Sequence, residues 1–307
     1  MRCPPAFRFP SLTTTVPKEF VHRAAVAEVM LTDWRRTGDM RFHVTAQWPR
    51  GHCFFSPIRG YHDPLLAAET IRQTGLLLTH AEFGTPLGHH FLMWDLEYAV
   101  EEEQLPVGDT PTALDIDVAY DRVKQRGGSI TGLRYTTVIR RAGRVAATGS
   151  ASYTCASPAV YRRLRAGRGA EGGRPPIPLT APAPPQSVGR TSPMDVVLSP
   201  TGAANRWQLR ADSRHHVMFD HPVDHVPGMV LLEAARQATA AVLGDGDMLP
   251  VAIATHFTRY AELDAPCSIE ASVLPGPGAG RTAVLVTGHQ EGEPVFSSTV
   301  TASSRRL

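Results

Sequence analysis

Glutamate and arginine three residues apart occur twice in apolar surroundings, as Glu69 and Arg72 and again as Glu233 and Arg236. On a helix this spacing puts both side chains on one face. A carboxylate taken out of water is driven toward its neutral form, and a guanidinium cannot shed its proton. Such groups therefore persist only when paired or when they line a polar pocket. Two readings stay open: structural ion pairs across an interface, or the acid–base and anion-binding groups of a cleft. The turns ahead of both segments carry further chemistry. His62 and Asp63 precede the first, and Asp220, His221, Asp224 and His225 precede the second, which opens at Gly228. Free N–H groups at a helix N-terminus can hold an oxyanion or a thioester carbonyl, and histidine shuttles protons near neutral pH. Capping or solvent exposure is the alternative for each histidine, above all for His215. Arg50, Arg59 and Arg214 are either additional phosphate ligands or solvated loop arginines.

No nucleophilic triad is visible. There is no G-x-S-x-G, and Cys53 and Cys155 have no base at a recognisable spacing, so direct attack by a bound hydroxyl is favoured over an acyl-enzyme. Cys3, Cys53, Cys155 and Cys267 lie far apart without metal-ligand spacing and read as reduced thiols; neither a metal nor a cofactor is expected. The PGPGAG run at 275–280 lacks the Lys-Ser/Thr ending of a phosphate loop and reads as a hairpin turn, and Glu101, Glu102 and Glu103 read as a solvated strand end.

The elements that must position these residues are written twice. At an offset of 164, RGHCFFSPIRGYHDPLLAAETIRQT aligns without a gap on RHHVMFDHPVDHVPGMVLLEAARQA. Arg50, His52, Phe55, Glu69, Arg72 and Gln73 then meet Arg214, His216, Phe219, Glu233, Arg236 and Gln237, which marks a duplication. Asp63 before Pro64 opens one helix, Pro64 to Thr79, and Pro227-Gly228 opens the other, Gly228 to Leu243, closed by Gly244. Both are apolar on nearly every face, as buried helices are. Short strands precede each helix (VAEVMLTDW and RFHVTAQW; MDVVLSP and RWQLRAD). Four longer ones follow each: HHFLMWDLEYAV, ALDIDVAYDRV, LRYTTVIRRAG and RVAATGSASYTCA, then VAIATHFTRYAEL, CSIEASVLP, RTAVLVTGHQ and PVFSSTVTASS. One buried helix wrapped by an antiparallel meander is the hotdog arrangement. The expected class is α+β, a tandem hotdog pseudo-dimer with domains at 1–157 and 194–307, joined by an extended Pro/Gly/Arg-rich linker at 158–193. Further association into a homo-oligomer stays open.

A 307-residue chain with 42% apolar and 20% charged residues has ordinary globular chemistry, and a formal charge of +2 gives no basis for nucleic-acid binding. No stretch approaches the roughly 18 apolar residues of a membrane span, and the N-terminus lacks an apolar signal core. A cytoplasmic protein is the expectation.

The strings AQWPRGHCFFSP, GYHDPLLAAETIRQTGLLLTHAEFGTPLGHHFLMWDL and DHVPGMVLLEAARQA resemble the A-factor biosynthesis (AfsA-type) hotdog proteins of actinobacteria, over about Val16 to Ser157 and Met194 to Ser303. The resemblance implies transfer of a β-ketoacyl group from acyl carrier protein to a hydroxyl of dihydroxyacetone phosphate, the first committed step of γ-butyrolactone-type signal synthesis, with related members feeding butenolide or furan signals. It also implies that Glu69 and Arg236 are the essential pair. In that reading Glu69 is the general base, and Arg236 reaches across the pseudo-twofold axis to the phosphate or oxyanion. The helix amides polarise the thioester, and Arg72 and Glu233 are the pseudo-symmetric counterparts, either structural or forming a second, degenerate site. On that basis Arg236→Lys is expected to harm binding of the phosphorylated alcohol more than Arg72→Lys. The second helix also resembles that of hotdog β-hydroxyacyl dehydratases, but its loop is shorter, and Ser56 and Pro57 stand where Asp220 and His221 do. The alternatives are a thioesterase or dehydratase, and a non-catalytic acyl-binding regulator.

Overall fold

A computed structural model describes residues 13–126, 129–166, 175–275 and 280–303. Cys3 and most of the 275–280 glycine run fall outside these.

Twelve strands form one antiparallel sheet. In the first half they are β1 (Leu31–Gly38), β2 (Arg41–Trp48), β3 (His90–Val100), β4 (Thr112–Arg126), β5 (Ser129–Arg141) and β6 (Arg144–Ala156). In the second they are β7 (Leu198–Pro200), β8 (Arg206–Leu209), β9 (Leu249–Phe257), β10 (Cys267–Val273), β11 (Arg281–Gln290) and β12 (Glu293–Ser303). The order β1-β2-β4-β5-β6-β3-β9-β12-β11-β10-β8-β7 reads the same from either end once β7 to β12 are matched to β1 to β6. The halves join edge to edge, with Asp95 opposite His256 and Ala99 opposite Ala252, so each covers the other's open edge. Alternation of buried and exposed residues along β4 shows one face on the core and the other on solvent.

The concave face holds α1 (Leu65–Ala81) and α3 (Gly228–Leu243), within two residues of the expected spans. Leu65, Leu66, Leu77 and Leu78 are fully buried, each stabilising the fold by about 1.5–3 kcal/mol. Gly244 ends α3 in the left-handed conformation, its N–H directed to the Ala240 and Ala241 carbonyls.

The duplication extends further than the gapless alignment, and its register is not constant. Gln73 accepts from Met30 N–H and donates to Glu28 O, and Gln237 does the same with Val197 and Asp195. His52 Nδ1 accepts from the Phe54 and Phe55 N–H groups, and its counterpart is His215, not His216, with Val217 and Met218. His52 Nε2 lies 3.4 Å from Glu28, and His215 Nε2 lies 3.1 Å from Asp195. The loops before the helices thus match one residue out of the helical register, and the pairing of Arg50 with Arg214 does not hold.

The segment expected as an extended linker is ordered structure where it is described. Ser157 caps a short helix, α2 (Pro158–Leu164), its Oγ accepting from Val160 N–H, with proline at the first helical position. Farther on, Ile177 N–H donates to Leu263 O and Ala183 N–H to Leu198 O. Residues 175–193 therefore pack on the second half, because their prolines leave few N–H groups to satisfy and Val188 and Ala183 are buried.

Candidate active site

Each central helix carries a buried knot of one glutamate and two arginines. Glu69 is fully buried. It accepts from Arg72 through Nε (2.9 Å) and Nη2 (2.7 Å), from Arg23 Nε (3.0 Å), whose Nη2 completes an ion pair at 2.7 Å, and from Gln73 (2.6 Å). Glu233 is held by Arg236 (2.9 and 2.6 Å) and Arg190 (2.8 and 2.7 Å). Burial pushes each carboxyl up, but the paired arginines and their hydrogen bonds outweigh it and take both down to about 2. The second arginine of each knot also crosses between halves: Arg23 donates to Val217 O (2.9 Å) and Arg190 to Phe54 O (2.5 Å).

The expected Glu69–Arg236 pair across the axis does not form. Arg236 bonds its own-helix Glu233 and Val188 O, and its side chain is 1% exposed. A side chain at i+3 reaches its own-helix neighbour with less loss of freedom than one on another helix.

The two knots differ in what lies outside them. A cavity of about 250 Å³ is lined by His22, Arg23, Arg72, Leu76, Phe91, Met93, Leu96, Met229, Leu232 and Phe257, among others. Arg72 is 17% exposed, and its Nη1 donates to nothing among the described residues. The same cavity is lined by Pro227, Gly228 and Met229, the first turn of α3, where no side chain caps the helix. Uncapped amides there favour negative charge. At the opposite end, α1 begins with Asp63 Oδ1 accepting from Leu65 N–H in a fully buried corner. Asp63 lies in the field of Arg190 and Arg236, while burial raises its carboxyl above the ordinary range.

Of the other residues singled out in the sequence, His221 lies exposed at the cavity wall against Asp220, and His225 lines it with Nδ1 2.7 Å from Asp224. Gly228 lines it too. His62 does not: it is buried on Thr112 (2.9 Å) and against Trp48, with its pKa lowered to about 4 by burial and by Arg141. Asp63, Glu233 and Arg236 also stay outside. Arg50 is spent on Gly108 O, Arg59 on Asp245 and Asp247, and Arg214 on Asp212, all away from the cavity.

Sequence reasoning missed Arg23, Arg190, His22 and Tyr161. The signal for the arginines is a repeated V-x-R, Val21-His22-Arg23 and Val188-Gly189-Arg190, at an offset of 167 rather than 164, with the second copy inside the presumed linker. Tyr161 of α2 stacks on His90 (3.6 Å between centroids) and donates to Asp224 (2.6 Å), and Arg165 bridges Asp224 (3.1 Å) and Glu262 (2.6 Å). That stretch therefore builds part of the cavity wall.

Comparison with known proteins agrees with this architecture. Solved structures similar to the chain include an acyl-ACP thioesterase from Bacteroides thetaiotaomicron (TM-score 0.51, 12% identity, 85% of this chain and 98% of that one). Another is the 12:0-ACP thioesterase from Umbellularia californica (TM-score 0.50, 10% identity, 86% and 94%). At such identities the likeness shows the fold alone, a tandem hotdog. Relatives in sequence named 2-oxo-3-(phosphooxy)propyl 3-oxoalkanoate synthase include one from Streptomyces virginiae, 54% identical over 93% of this chain and 97% of its own length. One from Streptomyces coelicolor is 46% identical over 93% and 90%. The A-factor biosynthesis hotdog domain (AfsA) matches residues 7–157 and 174–304, one copy on each half of the fold, and the chain belongs to that family.

Proposed function

We propose that the protein moves a 3-oxoacyl group from a thioester, carried by acyl carrier protein, to a hydroxyl of dihydroxyacetone phosphate. The relatives' name describes that product, a 3-oxoalkanoate ester of phosphorylated dihydroxyacetone. One observation carries the reading: an unpartnered Arg72 Nη1, held rigid by Glu69, and the uncapped start of α3 line the same apolar cavity. Arg72 grips the phosphate, with Arg23 behind it, since a fixed guanidinium meets phosphate oxygens with directed charge-assisted hydrogen bonds. The Gly228 and Met229 amides stabilise the oxyanion that forms on the thioester carbonyl. Leu76, Met93, Leu96, Leu232 and Phe257 receive the acyl chain. A groove of about 350 Å³ that shares Phe91, Met93, His225, Gly228, Phe257 and Tyr260 with the cavity is the approach for the thioester arm.

Glu69 is not the general base in this mechanism. It is fully buried, it does not line the cavity, and its oxygens are taken up by Arg23, Arg72 and Gln73, so no substrate hydroxyl can reach it. Its task is to fix the two guanidiniums before substrate arrives. Arg236 is locked on Glu233 within its own half, and Arg190 ties that knot to the first half through Phe54 O. We assign the reaction to the cytoplasm, where dihydroxyacetone phosphate is made.

The test is incubation with a defined 3-oxoacyl thioester, with and without dihydroxyacetone phosphate, and mass detection of products. A phosphorylated ester that requires both substrates is expected. Free acid formed regardless of dihydroxyacetone phosphate would mean a thioesterase, and tight acyl binding without turnover would mean a regulator.

A further inference from the structure

The acceptor hydroxyl must lose a proton, and the cavity supplies an acceptor that the helix motifs do not contain. His22 lines the cavity between Arg23, its neighbour in the chain, and Arg72, whose Nη2 donates to the Val21 carbonyl (3.4 Å). Its Nε2 lies 2.9 Å from Nε2 of His80 on α1, and His80 Nδ1 lies 2.7 Å from Thr85 O. These contacts fix the tautomers. A carbonyl only accepts, so His80 carries its proton on Nδ1 and accepts through Nε2, and His22 must donate from Nε2. Nδ1 of His22 is then left with a lone pair, and it has no hydrogen-bond partner among the described residues. Phe91 packs edge-on against the His22 ring at 5.0 Å and holds its plane.

The duplicated half shows that the fold does not ask for this side chain. His22 ends the 3-10 turn Lys18–Val21 in the left-handed region (φ 52°, ψ 52°), where non-glycine residues are uncommon. Its counterpart ends the turn Pro185–Val188 in the same region and is glycine, Gly189 (φ 69°, ψ 33°). A Cβ on Gly189 would stand 2.3 Å from Gly246 O and 3.0 Å from Arg236 Nη1, so backbone fills the space that the imidazole occupies in the first half.

From this juxtaposition we infer that His22, oriented by His80, is the general base that activates the acceptor hydroxyl. The inference rests on the acyl-transfer reading above. As the hydroxyl oxygen bonds to the thioester carbonyl carbon, its proton passes to His22 Nδ1. Collapse of the tetrahedral intermediate breaks the C–S bond, and the imidazolium returns the proton to the departing thiolate. In the free protein His22 is kept neutral, its pKa lowered to about 3 by burial and then by His80, Arg72, His221 and His90. The groups facing it are His80 and Arg72 on α1, His90 on β3, His221 in the loop before α3, and Arg23 beside it. A bound phosphate beside Arg72 offsets the positive charges around Nδ1, though not the larger effect of burial, and raises its basicity by that part once substrate is present.

The test compares the unaltered protein with His22→Asn, a substitution that tolerates left-handed backbone. In steady-state ester formation, kcat is expected to fall by about 10²- to 10⁴-fold, with the Michaelis constant for dihydroxyacetone phosphate unchanged within about threefold. The acid-side fall of kcat in the unaltered protein, where protonation removes the base, should vanish in the variant. No ester from the unaltered protein would overturn the acyl-transfer reading itself. Ester from the unaltered protein together with full kcat in His22→Asn would overturn only the role of His22. Ring-nitrogen NMR shifts of the unaltered protein give a check that needs no variant to fold: Nδ1 of His22 should be pyridine-like and Nε2 pyrrole-like, and the reverse assignment would overturn the inference.

Discussion

Around Glu69, two arginines and a glutamine close the knot on the inside while the outer edge of Arg72 meets a cavity. Around Glu233, the same groups are closed on all sides, with Arg236 1% exposed and Gly246 O packed where a side chain on Gly189 would stand. The helix start that completes the open site, that of α3, is uncapped, whereas that of α1 is capped by buried Asp63. Both copies thus keep a desolvated ion knot that joins the halves, and a cavity opens beside only the first. The repeated E-x-x-R-Q therefore serves the interface in both halves, with room for a ligand beside the first copy.

The largest effects that would break this comparison come from the glutamates. Glu69→Gln and Glu233→Gln should each lose about 3–5 kcal/mol of stability, because each leaves two buried guanidiniums without their counter-charge; urea denaturation measures this. Their activities should part: per folded molecule, kcat/KM should fall by about 10²-fold for Glu69→Gln through misplaced arginines and by far less for Glu233→Gln. Equal losses of activity would mean both clefts work.

Next come the arginines, where the geometry reverses the order that the family resemblance implied. Arg72→Lys keeps the charge and loses the fork, so the Michaelis constant for dihydroxyacetone phosphate should rise by about 10- to 100-fold. Arg236→Lys should lower the melting temperature and leave that constant near its original value. A larger rise for Arg236→Lys would show that Arg236 reaches substrate after all.

A smaller effect is expected at Gly189. Gly189→Ala puts a methyl against Gly246 O in a left-handed backbone, for a loss of about 1–3 kcal/mol with kcat unchanged. The mildest prediction is the pH dependence of stability. Unfolded His62 takes up a proton near its ordinary 6.5, whereas the folded residue does so only near about 4. The unfolded state then holds more protons in that window, so stability should fall as pH drops from 6.5 toward about 4. His22, lowered further, adds to the same slope, so His62→Gln should make it shallower without abolishing it in chemical denaturation, and an unchanged slope would remove His62 from the account.

Residue types alone determined the two helices, nearly every strand and the duplication itself, because apolar periodicity, an Asp-Pro helix start and a Pro-Gly start are local signals written into consecutive residues. They also marked Glu69, Arg72 and Gly228 as site candidates, since ionisable groups on an all-apolar helix must be accounted for. What the sequence could not decide was which arginine meets which glutamate. That choice depends on segments 46 and 43 residues away, Arg23 and Arg190, brought in by turns whose register differs from that of the helices. Only the tertiary structure decided that one knot is sealed and the other open. The difference lies in backbone packing at Gly189 and Gly246 and in a cap at Asp63, contacts between distant parts of the chain that leave no periodic trace in it.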